Sequence, residues 1–119
     1  DVSIVAVPAN SLNQRLSMPN KFWESLMAGT PVVVGRDLEV MRSIVEADDL
    51  GAVADPSDPD DLARALRAVL EQPAADRAAM RARCLLVSRD RYAWETVVLP
   101  YLALVDRLAP PRPDAVSAG

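Results

Sequence analysis

The chain offers short apolar runs and longer helical stripes in strict alternation, and few folds accept that order. Val2 to Val7 is a continuous apolar run interrupted only by Ser3, and four of its members are β-branched. Such a run is strand-sized and reads as a strand buried on both faces of a parallel sheet. Pro31-Val32-Val33-Val34-Gly35 is a second strand of this kind, and Gly51-Ala52-Val53-Ala54-Asp55 a short third. Between and after them, apolar residues recur at helical spacing: Phe22, Trp23, Leu26 and Met27; Leu38, Met41, Ile44 and Val45; Leu62, Leu66, Val69 and Leu70. The resulting βαβαβα order predicts an α/β fold, a parallel sheet with right-handed crossovers and helices on both faces.

Punctuation residues set the boundaries. Ala9 to Met18 is polar and aperiodic and reads as a loop. Pro19 suits the first position of a helix, with Ser17 or Met18 at the boundary, and Gly29 suits the position just past its end. Asp58-Pro59-Asp60-Asp61 combines a cap residue, a proline and first-turn acids, and starts another helix that Gln72-Pro73 ends. A helix over Ala74 to Arg89 places Met80, Cys84 and Val87 on one face. A last helix, about Tyr92 to Leu108, is expected to kink at Pro100 and to bury Trp94, Val97, Val98, Tyr101, Leu104, Val105 and Leu108. Residues 1–109 are thus expected to form the domain, and 110–119 a disordered Pro-rich tail. Three strands are few for such a sheet, and the chain opens directly into one of them. Both features predict a piece of a longer protein whose N-terminal part carries the neighbouring strand.

Composition excludes much chemistry. With no histidine, imidazole bases, His triads and His metal sites are impossible, and with one cysteine so are an internal disulfide and a structural zinc site. The net charge of −4 argues against nucleic acid as a partner. No apolar run reaches the ~20 residues of a membrane helix. The lone thiol suits a reducing compartment, so a cytoplasmic location is expected. The arginines at 77, 81, 83, 89 and 91 read mostly as a solvated face, with a peripheral contact at the inner membrane surface as the alternative. Trp23 and Trp94 lie in apolar stripes and read as core, although Trp23 could flank a pocket; Cys84 reads as an inert small hydrophobe. The acidic run Asp55 to Asp61 reads as a helix start rather than a cation loop.

Ligands of parallel α/β sheets bind outside the carboxyl ends of the strands. The informative loop there runs from the first strand into the helix near Pro19 and carries Ser17, Met18, Asn20 and Lys21. Lys21 is the only lysine beside twelve arginines, and Glu24 follows at i+3 on the same helical face. A cation at a helix N-terminus suits a phosphate, and a nearby carboxylate suits a sugar diol. On spacing alone, the plainer reading is a surface Lys–Glu ion pair on a capped helix.

The stretch Ser17-Met18-Pro19-Asn20-Lys21-Phe22-Trp23-Glu24-Ser25-Leu26-Met27-Ala28-Gly29-Thr30-Pro31-Val32-Val33 resembles the donor-binding segment of group 1 (family 4-like) glycosyltransferases of the GT-B fold. Leu50 to Pro56, Asp58 to Ala63 and the Trp94-Glu95 helix are similar to later parts of the same family. The resemblance implies a partial Rossmann-like three-layer domain, the later half of the C-terminal, nucleotide-sugar-binding domain. It also implies transfer of a sugar from a nucleotide-diphosphate sugar to an acceptor, with retention, without a cofactor and without an obligatory metal. Glu24 matches the second glutamate of the family's pair, which binds the ribose hydroxyls. Eight positions earlier, where the commonest pattern has its first glutamate, stands Leu16, and the segment resembles instead a subgroup reading Ser-x-Pro-x-Lys. The donor-binding residues so implied are Ser17, Met18, Asn20, Lys21 and Glu24; no catalytic residue is assigned. The partners expected are the donor, an acceptor, the N-terminal domain of the same protein, and another copy through the open edge of Val2–Val7. Two other readings are a GT-B-like nucleotide-sugar epimerase and a non-catalytic binding or assembly module of the same fold.

Overall fold

A computed structural model describes residues 1–109 of the chain. Three parallel strands, β1 (Ser3–Val5), β2 (Val32–Gly35) and β3 (Gly51–Ala54), lie in the order β1-β2-β3. Ser3 is opposite Val32 in the first pair, and Val32 is opposite Gly51 in the second. The helices are α1 (Leu12–Leu16), α2 (Asn20–Met27), α3 (Glu39–Asp48), α4 (Pro59–Leu70), α5 (Ala74–Arg91) and α6 (Trp94–Leu108). The expected α/β architecture with a parallel sheet is present.

The central strand divides the interior in two because successive side chains leave opposite faces. Val32 and Val34 enter a core with Val5, Phe22 and Leu26, joined by Met41 and Val45 of α3. Val33 enters a smaller core with Ala54, Ala65, Val69 and Met80. The long α5 serves both, placing Met80 in the second core and Cys84 and Val87 in the first. Gly51 sits where the ladder leaves no room: a Cβ there would lie 1.8 Å from the Val32 carbonyl oxygen.

The termini follow their local chemistry. Gly29, at φ 65°, closes α2 in a Schellman motif, its N–H donating to Leu26 O and the Thr30 N–H to Ser25 O. Asp58 caps α4 by accepting from the N–H groups of Asp60 and Asp61, with Pro59 at the first position, as expected. Asp49 ends α3 in the left-handed region and is held there by Arg83, whose Nε donates to Asp49 O at 3.1 Å and Nη2 to its carboxylate at 2.5 Å. Arg91 grips Asp48 through both carboxylate oxygens at 2.7 Å. Two of the arginines read as solvated are therefore clamps between α5 and the end of α3.

Three expectations need correction. The segment Ala9–Met18 is not all loop, since Ser11 caps α1 by accepting from the Gln14 N–H. The Gln14 side chain in turn accepts from the Asn10 N–H at 2.7 Å. The run Val2–Val7 pairs only over Ser3–Val5, and Ile4 (39 % exposed) and Val7 (51 %) are not core. β1 is an edge strand, and α4, the helix on the Ile4 face, packs over β3 instead. Finally, no residue of α6 is buried, and Trp94 is 71 % exposed, because α6 touches little beyond α5. Pro100 stands inside this helix without ending it. The expected Pro-rich tail, 110–119, lies outside the described residues.

Candidate functional site at the start of α2

The orientation of α2 follows from which of its side chains the core accepts. Phe22 and Leu26 are fully buried, one helical turn apart. The 100° step per residue then turns Asn20, Lys21 and Glu24 to the opposite face, and all three are exposed. Trp23 sits at the border, half-buried, its ring edge-on to Phe22 at 5.0 Å and 4.6 Å from the Tyr92 ring. These aromatic contacts fix the helix that presents the polar face.

The N-terminus of α2 is open. Pro19 takes the cap position, just outside the helix rather than as its first residue, and its carbonyl accepts from the Phe22 N–H at 3.0 Å. No side chain caps the helix, so the N–H groups of Asn20 and Lys21 have no side-chain acceptor. Ser17 does not cap α2 because it is occupied with α1: its hydroxyl and its N–H both donate to Gln14 O, at 2.9 and 3.2 Å. Met18 is half-buried and packs against the first core. Of the five residues singled out in the sequence, Asn20, Lys21 and Glu24 thus share one exposed face, while Ser17 and Met18 shape the turn leading into it.

The surface ion pair that spacing allows does not form. Among the described residues, neither Lys21 nor Glu24 takes part in an ion pair. The Lys21 ammonium and the Glu24 carboxylate are thereby left to other partners. A cation and free N–H groups at a helix start attract anions, and an exposed carboxylate one turn on accepts hydroxyls. Among the described residues, no group of His, Cys, Asp and Glu is arranged to hold a metal ion. No described helix is long and apolar enough to cross a membrane.

A second polar network lies at the same, carboxyl end of the sheet. Asp61, in the first turn of α4, accepts from the Asp55 N–H at 2.8 Å, from Arg64 Nε at 2.7 Å and from Arg36 Nη2 at 3.2 Å. It joins the residue after β2 to the residue after β3. The Asp55 hydrogen bond, followed by that of Arg64, holds the Asp61 carboxyl below the ordinary aspartate value of 3.8. The acidic run marks a helix start in the sequence; the arginines it engages lie too far along the chain for spacing to reveal them. Cys84 is fully buried against Leu50 O, and burial pushes its thiol up to about 11. It is chemically quiet, as expected.

Comparison with known proteins gives one match. The family model described as glycosyl transferases group 1 matches residues 3–84, from β1 into α5, and stops short of the Trp94-Glu95 helix. No curated protein and no solved structure matches the chain.

Proposed function

We propose, for a chain that belongs to the group 1 glycosyl transferases, that the start of α2 holds the nucleotide end of a nucleotide-diphosphate sugar. The observation that carries this reading is the open N-terminus of α2 with Lys21 and Glu24 exposed, on one face and unpaired with each other. Glu24 accepts the two ribose hydroxyls and positions the donor; it is neither acid nor base. Lys21 and the N–H groups of Asn20 and Lys21 face the diphosphate, with Ser17 and Met18 forming the turn beside it. In transfer, the bond from the anomeric carbon to the diphosphate oxygen breaks as the acceptor oxygen bonds to that carbon, and the acceptor hydroxyl's proton leaves with the diphosphate. Charge then collects on the leaving diphosphate, where a helix N-terminus and a cation are most useful.

The finer reading is transfer with retention, without an obligatory metal, in the cytoplasm. Sites of this kind lie in clefts between domains. The acceptor wall is assigned to an N-terminal domain of the same protein, and the 119-residue chain alone is expected to turn over no nucleotide-sugar.

Calorimetric titration with UDP, GDP and ADP in turn tests the assignment. The loss of a charge-assisted diol contact in Glu24→Ala costs about 1.5–3 kcal/mol, or roughly 10- to 150-fold in affinity. The thermal midpoint stays in place, because Glu24 is exposed on a helix that accepts alanine. Unchanged affinity for whichever nucleotide binds would remove Glu24 from the site.

A further inference from the structure

Between the loop after β1, helix α1 and the start of α3 lies an open cleft of about 350 Å³, lined by Ala9, Arg15, Arg36, Asp37, Glu39 and Arg42. We infer that this cleft binds an anionic group, a phosphate or a carboxylate, carried by a small hydroxylated molecule.

Three arginines line one concave space, although the chain as a whole is acidic with a net charge of −4. Each is held in place yet keeps N–H groups to spare. Arg15 uses only Nη2, on Glu39. Arg36 donates Nη2 to Asp61, and its Nη1 forms a longer ion pair with Asp55 at 3.6 Å, without a hydrogen bond. Arg42 donates Nη1 to the Arg36 carbonyl at 2.8 Å, and its Nε forms a loose ion pair with Glu46 at 4.0 Å. A guanidinium carries five N–H donors, so the three together retain most of theirs. The chain Arg42–Arg36–Asp61 also sets two of the groups in position beforehand, which lowers the ordering cost of binding.

The carboxylates of the cleft are not equivalent. Glu39 is engaged by Arg15, whereas Asp37 has no hydrogen-bonding partner among the described residues. It repels an anion but accepts hydroxyls, so the lining favours a ligand with both kinds of group. The volume is that of a small-molecule site, and the place is right for one: Ala9 follows β1 and Arg36 follows β2, at the carboxyl ends of the strands. That the ligand is a sugar derivative rests on the transferase reading above; that it is an anion does not.

Titration of the full chain with inorganic phosphate, and separately with glucose 6-phosphate, at constant ionic strength and without nucleotide, tests this inference. Saturable binding is expected, weakened at least about 5-fold by Arg15→Gln and by Arg42→Gln. It should be unchanged by Arg67→Gln, an exposed arginine of α4 outside the cleft. Glucose 6-phosphate should bind more tightly than phosphate, and Asp37→Asn should abolish the difference. Absence of saturation, or equal weakening by all three arginine variants, overturns the site. Equal affinity for the two ligands overturns the hydroxylated molecule and leaves free phosphate as the occupant. A chain that binds phosphate but no nucleotide sinks the donor reading alone, and the reverse result sinks this one.

Discussion

Asp61 shows how one side chain can tie together segments that sequence spacing keeps apart. Its carboxylate serves the backbone of Asp55, the neighbouring Arg64 and the distant Arg36. Because its folded-state pKa is lowered, the carboxylate contributes stability that is fully present above the unfolded value of 3.8 and is lost as pH falls through the folded value. Denaturant midpoints followed downward from about pH 5 should therefore fall in the native chain. In Asp61→Asn that part of the decline should be missing, giving a shallower slope over the same interval and a lower midpoint at neutral pH. An identical slope would show that Asp61 does not contribute to the pH dependence. Of this network only the helix-start role of Asp58 to Asp61 could be read in advance. Likewise the shared face of Lys21 and Glu24 follows from a spacing of three, but whether the two pair with each other depends on rotamers that no spacing specifies.

At the scale of elements, the apolar runs and stripes announced all three strands and five of the six helices, because burial imposes periods of 2 and 3.6 directly on the sequence. The missed element, α1, is five residues long and buries none of them, so its Leu12 and Leu16 belong to no core stripe. Its signal is the Ser11-x-x-Gln14 capping pattern, which closes with Asn10 rather than with Ser11 itself. Glycine placement was legible for Gly29, whose left-handed backbone ends α2, but not for Gly51, whose constraint is the Val32 carbonyl of another strand. The two should respond differently to alanine. Gly29→Ala meets a backbone penalty of about 1 kcal/mol and a Leu85 side chain 3.1 Å away that can shift, so a loss of about 1–2 kcal/mol is expected. Gly51→Ala sets a methyl into the β2–β3 ladder and should cost more than about 3 kcal/mol or prevent folding. Urea titration orders the two, and equal losses would mean that the ladder yields where the backbone places Gly51.

For the whole molecule, the sheet has an open side. The Ser3 N–H donates to Pro31 O, so Ser3 and Val5 face β2 and the N–H and C=O of Ile4 face outward. Neither lysine nor proline blunts Val2–Val7, and Ile4 and Val7 add exposed apolar surface beside it. The stripe on α6, from Trp94 to Leu108, is legible as a stripe, but periodicity says only that a face is apolar and not what covers it. We propose that the chain pairs through β1, with a second copy or with the remainder of its own protein. Light scattering on the purified chain should show association that Ile4→Lys reduces several-fold, while far-UV circular dichroism stays unchanged. A monomer at every concentration would refute pairing with a second copy.

The buried thiol of Cys84 also makes a clock. It is the chain's only sulfhydryl, fully covered, and mounted on the helix that closes both cores. At pH 8 only on the order of one thiol in a thousand is ionised. A labelling reagent can react only during the moments when α5 lifts from the sheet, so the labelling rate counts those moments without any engineered probe.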